Sequence, residues 1–261
     1  MSGTINLKRH GEQPVRSVAL LEIDNPPRNT LGAAMRAQLR EILNELAADF
    51  SLRALVITGC GKAFCSGDDL REEFEAVAGG RELGANLLDF GSLLDQLEAF
   101  RTPVIAAING WCVGGGVELA LCCDIRLASS AAKFVCAGVN VGLMASAYRL
   151  PRLIGVARAK HMLFTGLPYD APTAERFGLV TSVHQPDELL DAALTLAERI
   201  ASRAPLSVEA TKRIASRASE LTPREALAMQ AKELAALIQT ADHITAVTAF
   251  LEKRTPVFSR R

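Results

Sequence analysis

The sequence predicts an α/β protein with a helical C-terminal region, and three observations support this prediction. Short apolar runs typical of covered strands alternate with segments whose apolar residues recur at helical spacing. Glycine-containing breaks stand directly after two of these runs. After about Asp187 the strand patterns stop and only helical patterns follow. Strands that alternate with helices in this way are typical of parallel sheets with crossover connections.

The first 60 residues predict a strand, a helix and a second strand. Residues 15–24, VRSVALLEID, show a β pattern that the segment NPPRNTL ends. A helix capped by Thr30 or Asn29 is then predicted to run to about Asp49. Its apolar stripe contains Leu31, Met35, Leu39, Leu43 and Leu46. Residues 52–59, LRALVITG, predict a strand covered on both faces.

The remaining elements follow the same alternation until the helical tail begins. A helix is predicted over 85–100 and a buried strand over 102–109, and CCDIRLAS and KFVCAG predict further short strands. Thr222, Pro223 and Glu225 form a predicted capping box, and the last helix places Ile244, Val247 and Leu251 on one side. We therefore predict an α/β core over residues 1–190 and a helical region over 191–261.

Composition and charge disfavour several classes of protein. The chain has 261 residues with 29 basic and 29 acidic side chains, so no overall positive field favours nucleic acid. Residues 104–123 approach the length of a membrane span, but Asn109, Glu118 and the glycine triplet 114–116 interrupt them. The six cysteines lack metal-site spacing, and the first residues lack a signal-peptide core. We predict a cytoplasmic protein without a metal ion and without nucleic-acid or membrane partners.

The segment WCVGGGVEL, residues 111–119, calls for a local explanation because glycine destabilises both helices and strands. It lacks the Lys and Ser/Thr of a P-loop and the spacing of a dinucleotide fingerprint. Glycines at a strand-to-helix junction leave backbone amides accessible, and the helix N-terminus adds partial positive charge. Glu118 is then either an acid that complements this charge or a reactive carboxylate beside an anion site.

A second glycine-broken segment, GKAFCSGDDLREEFE, also follows a strand and precedes a predicted helix. Ligands of open α/β sheets bind at the carboxyl ends of strands. If each of the two loops donates one N–H to a single oxygen, together they form an oxyanion hole. The acids of this segment are interpreted first as a solvated helix start, with Asp68 important for its amide: Asp68, Asp69, Glu72 and Glu73.

Together these segments resemble the crotonase superfamily, the enoyl-CoA hydratase/isomerase family. GKAFCSGDDL is similar to the family's F-C-[AS]-G-x-D-L loop, and residues 103–129 match its P-V-I-A-A-[IV]-N-G-x-x-x-G-G-G-x-E-L-A-x-x-C-D segment almost throughout. NPPRNTL, TGLPYDAPTAERFGLV and FLEKRTPVF are similar to its other signatures. The resemblance therefore extends over nearly the whole chain.

The resemblance implies a spiral of ββα units, a helical trimerisation region and assembly as a homotrimer or as a hexamer built from two trimers. It implies an acyl-CoA substrate, with coenzyme A as part of that substrate and no separate cofactor. The amides of Asp68 and Gly115 would bind the thioester oxygen, and Glu118 would act as acid and base. The predicted substrate-binding residues are Lys62, Ala63, Ser66, Gly67, Asp68, Asp69, Leu70, Arg71, Gly114, Gly115, Phe250 and Lys253.

One departure from the family pattern affects the predicted chemistry. Hydratases of the family use a second glutamate in an F-G-x-P-E segment, and Gly138 occupies that position in FVCAGVNVG. The following GLMASAYRLPR is also shorter than the family pattern. Tyr148 and Asn140 lie in this segment and are candidates for a replacement, although a packing or loop role is favoured for each.

Three functions are consistent with this departure. The first is an enoyl-CoA hydratase-like lyase that uses Glu118. The second is another reaction of an acyl-CoA, such as isomerisation, hydrolysis, decarboxylation or C–C cleavage. The third is a catalytically weakened acyl-CoA-binding subunit. Isomerases of the family generally use an acid at the second position, which argues against simple isomerisation.

Overall fold

The fold was analysed in a computed structural model that describes residues 3–11, 17–79 and 84–261. The strands are β1 (Thr4–His10), β2 (Ser17–Asp24), β3 (Leu52–Gly59), β4 (Ala63–Cys65), β5 (Val104–Ile108), β6 (Trp111–Val113), β7 (Ile125–Ser129), β8 (Lys133–Val135), β9 (Pro168–Asp170) and β10 (Ser182–His184). The helices are α1 (Ala33–Ala48), α2 (Leu70–Ala78), α3 (Ala85–Glu98), α4 (Gly115–Cys122), α5 (Arg149–Ile154), α6 (Val156–Thr165), α7 (Ala171–Phe177), α8 (Leu189–Ala201), α9 (Pro205–Ala215), α10 (Pro223–Ile238) and α11 (Ala241–Leu251), with a 3-10 helix at Ala137–Val141.

The strands of three successive ββ pairs, β3/β4, β5/β6 and β7/β8, are divided between two sheets. The larger sheet has the order β1-β2-β3-β5-β7-β10, and the smaller has the order β4-β6-β8-β9. Strands β3, β5 and β7 are parallel neighbours in the first sheet, and β4, β6 and β8 are parallel neighbours in the second. Each ββ pair thus contributes one strand to each sheet. This arrangement confirms the predicted α/β fold and its spiral of ββα units.

The two faces of the larger sheet are buried against different layers. Alternate residues of β2 show this, because Ala19 and Leu21 lie in the main core whereas Val18 and Leu20 pack in a second cluster with α8. All eight residues of β3 are buried, as the continuous apolar run predicts. Because both faces are covered, the carboxyl ends of the strands are held in fixed positions.

The first strand was not predicted, and the predicted cap of α1 is wrong. Strand β1 is an antiparallel edge strand in which most side chains are exposed, so it carries little apolar alternation. Helix α1 begins after Gly32, and the side chains of Asn29 and Thr30 instead form hydrogen bonds to the segment around β4. The carboxylate of Glu72 in α2 accepts the Ala33 N–H at 2.7 Å and compensates the helix N-terminus.

The chain ends in consecutive helices, as predicted. The Thr222–Glu225 capping box is present at the start of α10. Helix α8, which contains the predicted boundary near residue 190, packs on the larger sheet. Within the described residues, no single helix is long and apolar enough to cross a membrane. Helices α10 and α11 meet this test only as a pair, and they are bent by 73°.

Candidate active site

The loop after β4 lies directly against the start of α4. Gly67 has a φ of +80°, and a Cβ at this residue would be 2.5 Å from the Gly115 nitrogen. Its N–H donates to the Sγ of Cys65 at 3.2 Å. Burial raises the pKa of the Cys65 thiol to about 12, so the sulfur accepts this bond as a neutral group. Both the positive φ and the close approach therefore require glycine at residue 67.

The glycine triplet forms the other side of this contact. Gly114 links β6 to α4 with a φ of +53°, and its N–H donates to the Val135 carbonyl at 2.8 Å. A Cβ at Gly115 would be 2.7 Å from the ring of Phe90 and 2.9 Å from the Gly67 Cα. A Cβ at Gly116 would overlap the carbonyl oxygen of Cys65. The glycines thus allow two backbone segments to touch, a reason that the sequence reasoning did not include.

The predicted oxyanion-hole residues are brought together by this contact. The loop that contains Asp68 meets the start of α4, where the Gly115 N–H precedes the first N–H groups that bond to the Gly114 carbonyl, those of Val117 and Glu118, and the helix terminus carries partial positive charge. The amides on either side of Asp68 are directed into the protein: that of Gly67 to Cys65, and that of Asp69 to the Asp68 Oδ1 at 3.0 Å. The arrangement suits a site that binds an electron-rich oxygen through Asp68 and Gly115.

The side chain of Asp68 is held by a buried arginine that the sequence analysis did not single out. Arg36 in α1 is 1% exposed, and its Nη1 donates to the Asp68 carboxylate and to the Leu31 carbonyl, the latter at 2.9 Å. Its Nε donates to Asp89 at 2.8 Å. The Asp68 carboxylate is therefore a structural anchor for the loop. The sequence does carry a signal for Arg36: it is a basic residue at the edge of the apolar stripe of α1, three positions before Leu39.

Glu118 stands in the first turn of α4, one turn after Gly115. Its Oε1 accepts a hydrogen bond from the backbone N–H of Ser146. The buried thiol of Cys136 is close by: burial and, to a smaller extent, the Glu118 charge raise its pKa to about 12. The carboxylate is half-buried and held by an N–H, as expected for a reactive group with a fixed orientation.

Backbone atoms of residues 143–145 lie against Gly138, the position at which the second glutamate of the family is absent. Gly138 lies in the 3-10 helix, and its carbonyl accepts the Leu143 N–H at 2.8 Å. A Cβ at Gly138 would be 2.9 Å from the Leu143 carbonyl oxygen and 3.0 Å from the Ala145 nitrogen. The shortened segment therefore folds over the point from which a glutamate side chain would leave the helix.

The two polar candidates of this segment are engaged elsewhere. The Tyr148 hydroxyl accepts from Arg152 at 2.7 Å and donates to Glu220 at 3.2 Å, on the surface. The Asn140 amide donates to the Gly166 carbonyl at 3.0 Å. Both side chains are therefore bonded within the surface loops that surround them.

Asp124 has a structural role. Its Oδ2 accepts hydrogen bonds from the Val104 N–H and the Lys212 ammonium group, each at 2.7 Å. It thereby joins α9 to the start of β5.

The predicted substrate-binding residues fall into three groups, one of which is the pair Gly114 and Gly115 at the start of α4. Residues 62–71 form one continuous segment that includes β4, with Lys62, Leu70 and Arg71 exposed and Ala63 buried. Asp69 caps α2 by accepting the Arg71 N–H at 3.0 Å. Phe250 and Lys253 lie at the end of α11 and just after it, and the Phe250 ring is 82% exposed. Their predicted contact is with a neighbouring subunit.

Two further features concern metal and redox chemistry. In the described ranges, His, Cys, Asp and Glu side chains form no group of three or more that could hold a metal ion. All six cysteines are free thiols, and five of them are buried.

Comparison with known proteins identifies the family. Residues 14–261 match the family model described as enoyl-CoA hydratase/isomerase. The short-chain-enoyl-CoA hydratase of Clostridium acetobutylicum is 35% identical over 91% of this chain and 92% of its own length. The crotonyl-CoA hydratase of Syntrophomonas wolfei is 37% identical over 91% and 92% of the two chains.

Solved structures agree with this assignment. The crystal structure of an enoyl-CoA hydratase from Bacillus anthracis superposes with a TM-score of 0.90 at 32% identity, over 98% of this chain and all of that one. The fold and the hydratase-like enzyme class that the motifs predict are therefore confirmed. The chain belongs to the enoyl-CoA hydratase/isomerase family, within the crotonase superfamily.

Proposed function

We propose that the protein adds water to the double bond of 2-enoyl-CoA thioesters, with Glu118 as the proton-transferring group. The observation that carries this proposal is the Glu118 carboxylate, held by the Ser146 N–H one helical turn from Gly115. A carboxylate beside a pair of backbone amides is suited to move a proton while negative charge develops on a neighbouring oxygen.

The amides of Asp68 and Gly115 bind the thioester oxygen in this proposal. The oxygen gains charge when a nucleophile attacks Cβ, and fixed N–H donors stabilise that charge more strongly in the transition state than in the substrate. One such donor typically contributes about 2.7–4 kcal/mol. The backbone contact between Gly67 and Gly115 keeps the two donor segments at a fixed separation.

Glu118 completes the reaction with a balanced pair of proton transfers. The water oxygen bonds to Cβ while Glu118 takes one of its protons, and the π electrons of the Cα–Cβ bond move to give an enolate. The enolate then collapses, the thioester carbonyl is restored, and Glu118 returns its proton to Cα. One hydrogen and one hydroxyl are added, and the carboxylate is regenerated without a cofactor.

The remaining parts of the proposal concern binding and assembly. In this proposal residues 62–71 line the path of the coenzyme A moiety, and the exposed basic side chains of Lys62 and Arg71 support this by their charge. Phe250 and Lys253 are assigned to the site of a neighbouring subunit, consistent with the exposure of Phe250. We further propose a trimer or hexamer and a cytoplasmic location, without a nucleic-acid or membrane partner.

A second candidate is a different acyl-CoA reaction that needs only the two amides and Glu118. The packing of backbone over Gly138 favours it, because a two-glutamate arrangement does not fit that position. A weakened acyl-CoA-binding subunit would follow from the same observation if Glu118 performed no chemistry.

The decisive experiment follows crotonyl-CoA by the loss of its conjugated thioester absorbance. The wild-type protein is expected to turn it over, and Glu118→Gln is expected to lower kcat about 10²–10⁴-fold because the proton acceptor is lost. Binding of butyryl-CoA, measured by calorimetry, should change little in this variant, because the two amides are unaffected.

The results separate the candidates. Undiminished turnover in Glu118→Gln would contradict the role of Glu118. Binding of crotonyl-CoA without hydration by the wild-type protein would favour the second candidate or the binding subunit.

A further inference from the structure

A small cavity lies between the larger sheet and α9, at the amino ends of β3 and β5. Arg53 at the start of β3 and Pro103 just before β5 line it from the sheet, and Pro205 and Val208 line it from the first turn of α9. The carboxyl ends of the same two strands lead to β4 and β6, and so to the candidate active site. The cavity is therefore separate from that site. Its remaining lining residues are Ile200, Arg203 and Glu209.

The guanidinium group of Arg53 has no hydrogen-bond partner among the described residues. The residue is 8% exposed, and its Nε and Nη1 are buried from solvent without a partner. Nη2 is the nitrogen of this group that retains accessible surface, beside the cavity. Buried polar groups are nearly always paired, and an unpaired buried charge is especially costly. An unpaired guanidinium that lines a cavity therefore points to a ligand within it.

The charged groups around Arg53 do not supply its counter-ion. The charges of Asp242 and Glu209 favour its protonated form, and those of Arg101 and Arg260 oppose it. Glu209 is bound by these two arginines, because its Oε1 accepts from Arg101 at 2.6 Å and its Oε2 from Arg260 at 2.9 Å. The Asp242 carboxylate accepts backbone N–H groups of the C-terminal segment at 2.7 and 2.9 Å. Both acids are thus committed to other donors.

The start of α9 adds positive potential on the other side of the cavity. Its N-cap, Ala204, provides no side-chain hydrogen bond, and Pro205 occupies the first helical position. The first N–H groups of a helix lack acceptors within it and give its N-terminus partial positive charge. Because Pro205 and Val208 line the cavity, this charge and that of Arg53 act on the same space. The combination favours an anion over a neutral molecule.

The size of the cavity restricts this anion to a monatomic one. Its free space holds about one sphere of the size of a water molecule. A chloride ion is only slightly larger than water, whereas phosphate, sulfate and carboxylate groups are too large for this space. The apolar part of the lining also suits a weakly hydrated halide: Pro103, Ile200, Pro205 and Val208.

We propose that this cavity binds one chloride ion, held by Nη2 of Arg53 against the first turn of α9. The ion neutralises the buried charge of Arg53 and joins the start of β3 to the C-terminal helices. It is remote from Glu118, so it stabilises the fold and takes no part in the chemistry. The inference does not depend on the proposed hydratase function.

Thermal unfolding tests this binding in solution. Sodium chloride replaces sodium gluconate stepwise at constant ionic strength, so that charge screening is unchanged and only the anion that fits the cavity varies. The wild-type melting temperature should rise and then saturate, by about 3–5 °C at ten times the Kd for chloride. Crystals of the wild-type protein grown in bromide should show an anomalous peak between Arg53 and the first turn of α9.

Two variants assign the effect to Arg53. Arg53→Met keeps much of the side-chain volume but removes the charge, so its melting temperature should not depend on chloride. Arg217→Met is the matched control, because the Arg217 side chain is 54% exposed and does not line the cavity. This control should keep the wild-type response to chloride.

Each result either supports or overturns the chloride site. A wild-type melting temperature that stays constant as chloride replaces gluconate would overturn it. A rise that persists in Arg53→Met would place the ion elsewhere and would equally overturn it. If Arg53→Met does not fold, the bromide map of the wild type decides: a peak within hydrogen-bond distance of the Arg53 guanidinium supports the site, and its absence overturns it.

Discussion

The two sides of the candidate site are built in different ways. On one side, the loop 65–68 and the start of α4 touch through backbone atoms, and the glycines leave no space for added side chains. On the other side, the segment 137–147 consists of one 3-10 helix and a loop with exposed apolar residues: Val139, Val141, Leu143 and Met144. The first side matches the family pattern and the second departs from it.

This difference separates two tasks of catalysis. Stabilising charge on a thioester oxygen is common to many acyl-CoA reactions and needs a rigid pair of donors. Placing the second reactant depends on the reaction, and it can be changed through a loop without disturbing the donors. The contrast leads to three predictions, given from the largest expected effect to the smallest.

The first side, where the loop 65–68 touches the start of α4, should not tolerate a single added methyl group. Gly116→Ala places a Cβ on the Cys65 carbonyl, and neither backbone segment can move alone. We expect a loss of about 3 kcal/mol or more in the free energy of unfolding. Denaturant titration measures the stability, and crotonyl-CoA turnover should fall in parallel.

Gly91→Ala is the matched control for this substitution. Gly91 lies in α3, and an added Cβ there meets no atom within 4 Å. Alanine should stabilise the helix by about 0.5–1 kcal/mol with unchanged turnover. If Gly116→Ala were as stable as this control, the description of the first side as closed to side chains would be wrong.

The second side, the segment 137–147, should not accommodate a glutamate at position 138. Gly138→Glu directs a side chain into the backbone of residues 143–145, so we expect about 1–3 kcal/mol of destabilisation and no gain in hydration. Gly138→Ala should show much of the same loss, because the first carbon already meets the loop. A glutamate variant that is stable and more active would break the comparison, and activity and melting temperature are the measurements.

The smallest effect concerns the ion pairs that Asp89 forms with Arg36 and Arg40. Partial burial raises the pKa of Asp89, but hydrogen bonds and charge from Arg36 and Arg40 outweigh it and hold the pKa below the ordinary value of 3.8. The ionised form thus stabilises the fold above about pH 4 and loses this contribution as the pH falls through the lowered pKa.

Asp89→Asn should therefore be less stable than the wild type at pH 7, and the difference should shrink as the pH falls below 3.8 and through the lowered pKa. Because the Asp89 side chain is 47% exposed, solvent screening limits the effect to about 0.5 kcal/mol. Melting temperatures at pH 7, 5 and 3, repeated in 1 M salt, test the assignment, since salt should shrink the difference at pH 7. A difference that grew on acidification would contradict it.

Much of the fold could be predicted because apolar patterns were strong where burial is complete. Strands β3 and β5 are continuous apolar runs, and the α10 capping box is a local signal. Strand β1 lacked such a pattern because it is an exposed edge strand. The predicted cap of α1 was wrong because the carboxylate of Glu72 in α2 accepts an N–H at the start of that helix, and this is a tertiary contact.

The site was predictable as far as its chemistry follows local motifs. Glu118 and Gly115 lie three positions apart, and the glycine spacing identified their segment. The pairing of Arg36 with Asp68 and the contact of Ser146 with Glu118 join residues that are distant in sequence. No spacing rule encodes such pairs, because loop lengths and packing decide them.

The contact between Gly67 and Gly115 also links the site to global stability. These residues follow the neighbouring strands β4 and β6 of the smaller sheet, so the candidate site cannot form without that sheet. A ligand that binds only the folded site adds about 2.7 kcal/mol at a concentration of one hundred times its Kd. For a chain of this size that corresponds to a rise of about 5–10 °C in the melting temperature. Thermal shifts with a series of acyl-CoAs therefore provide a direct ranking of acyl chains, independent of turnover.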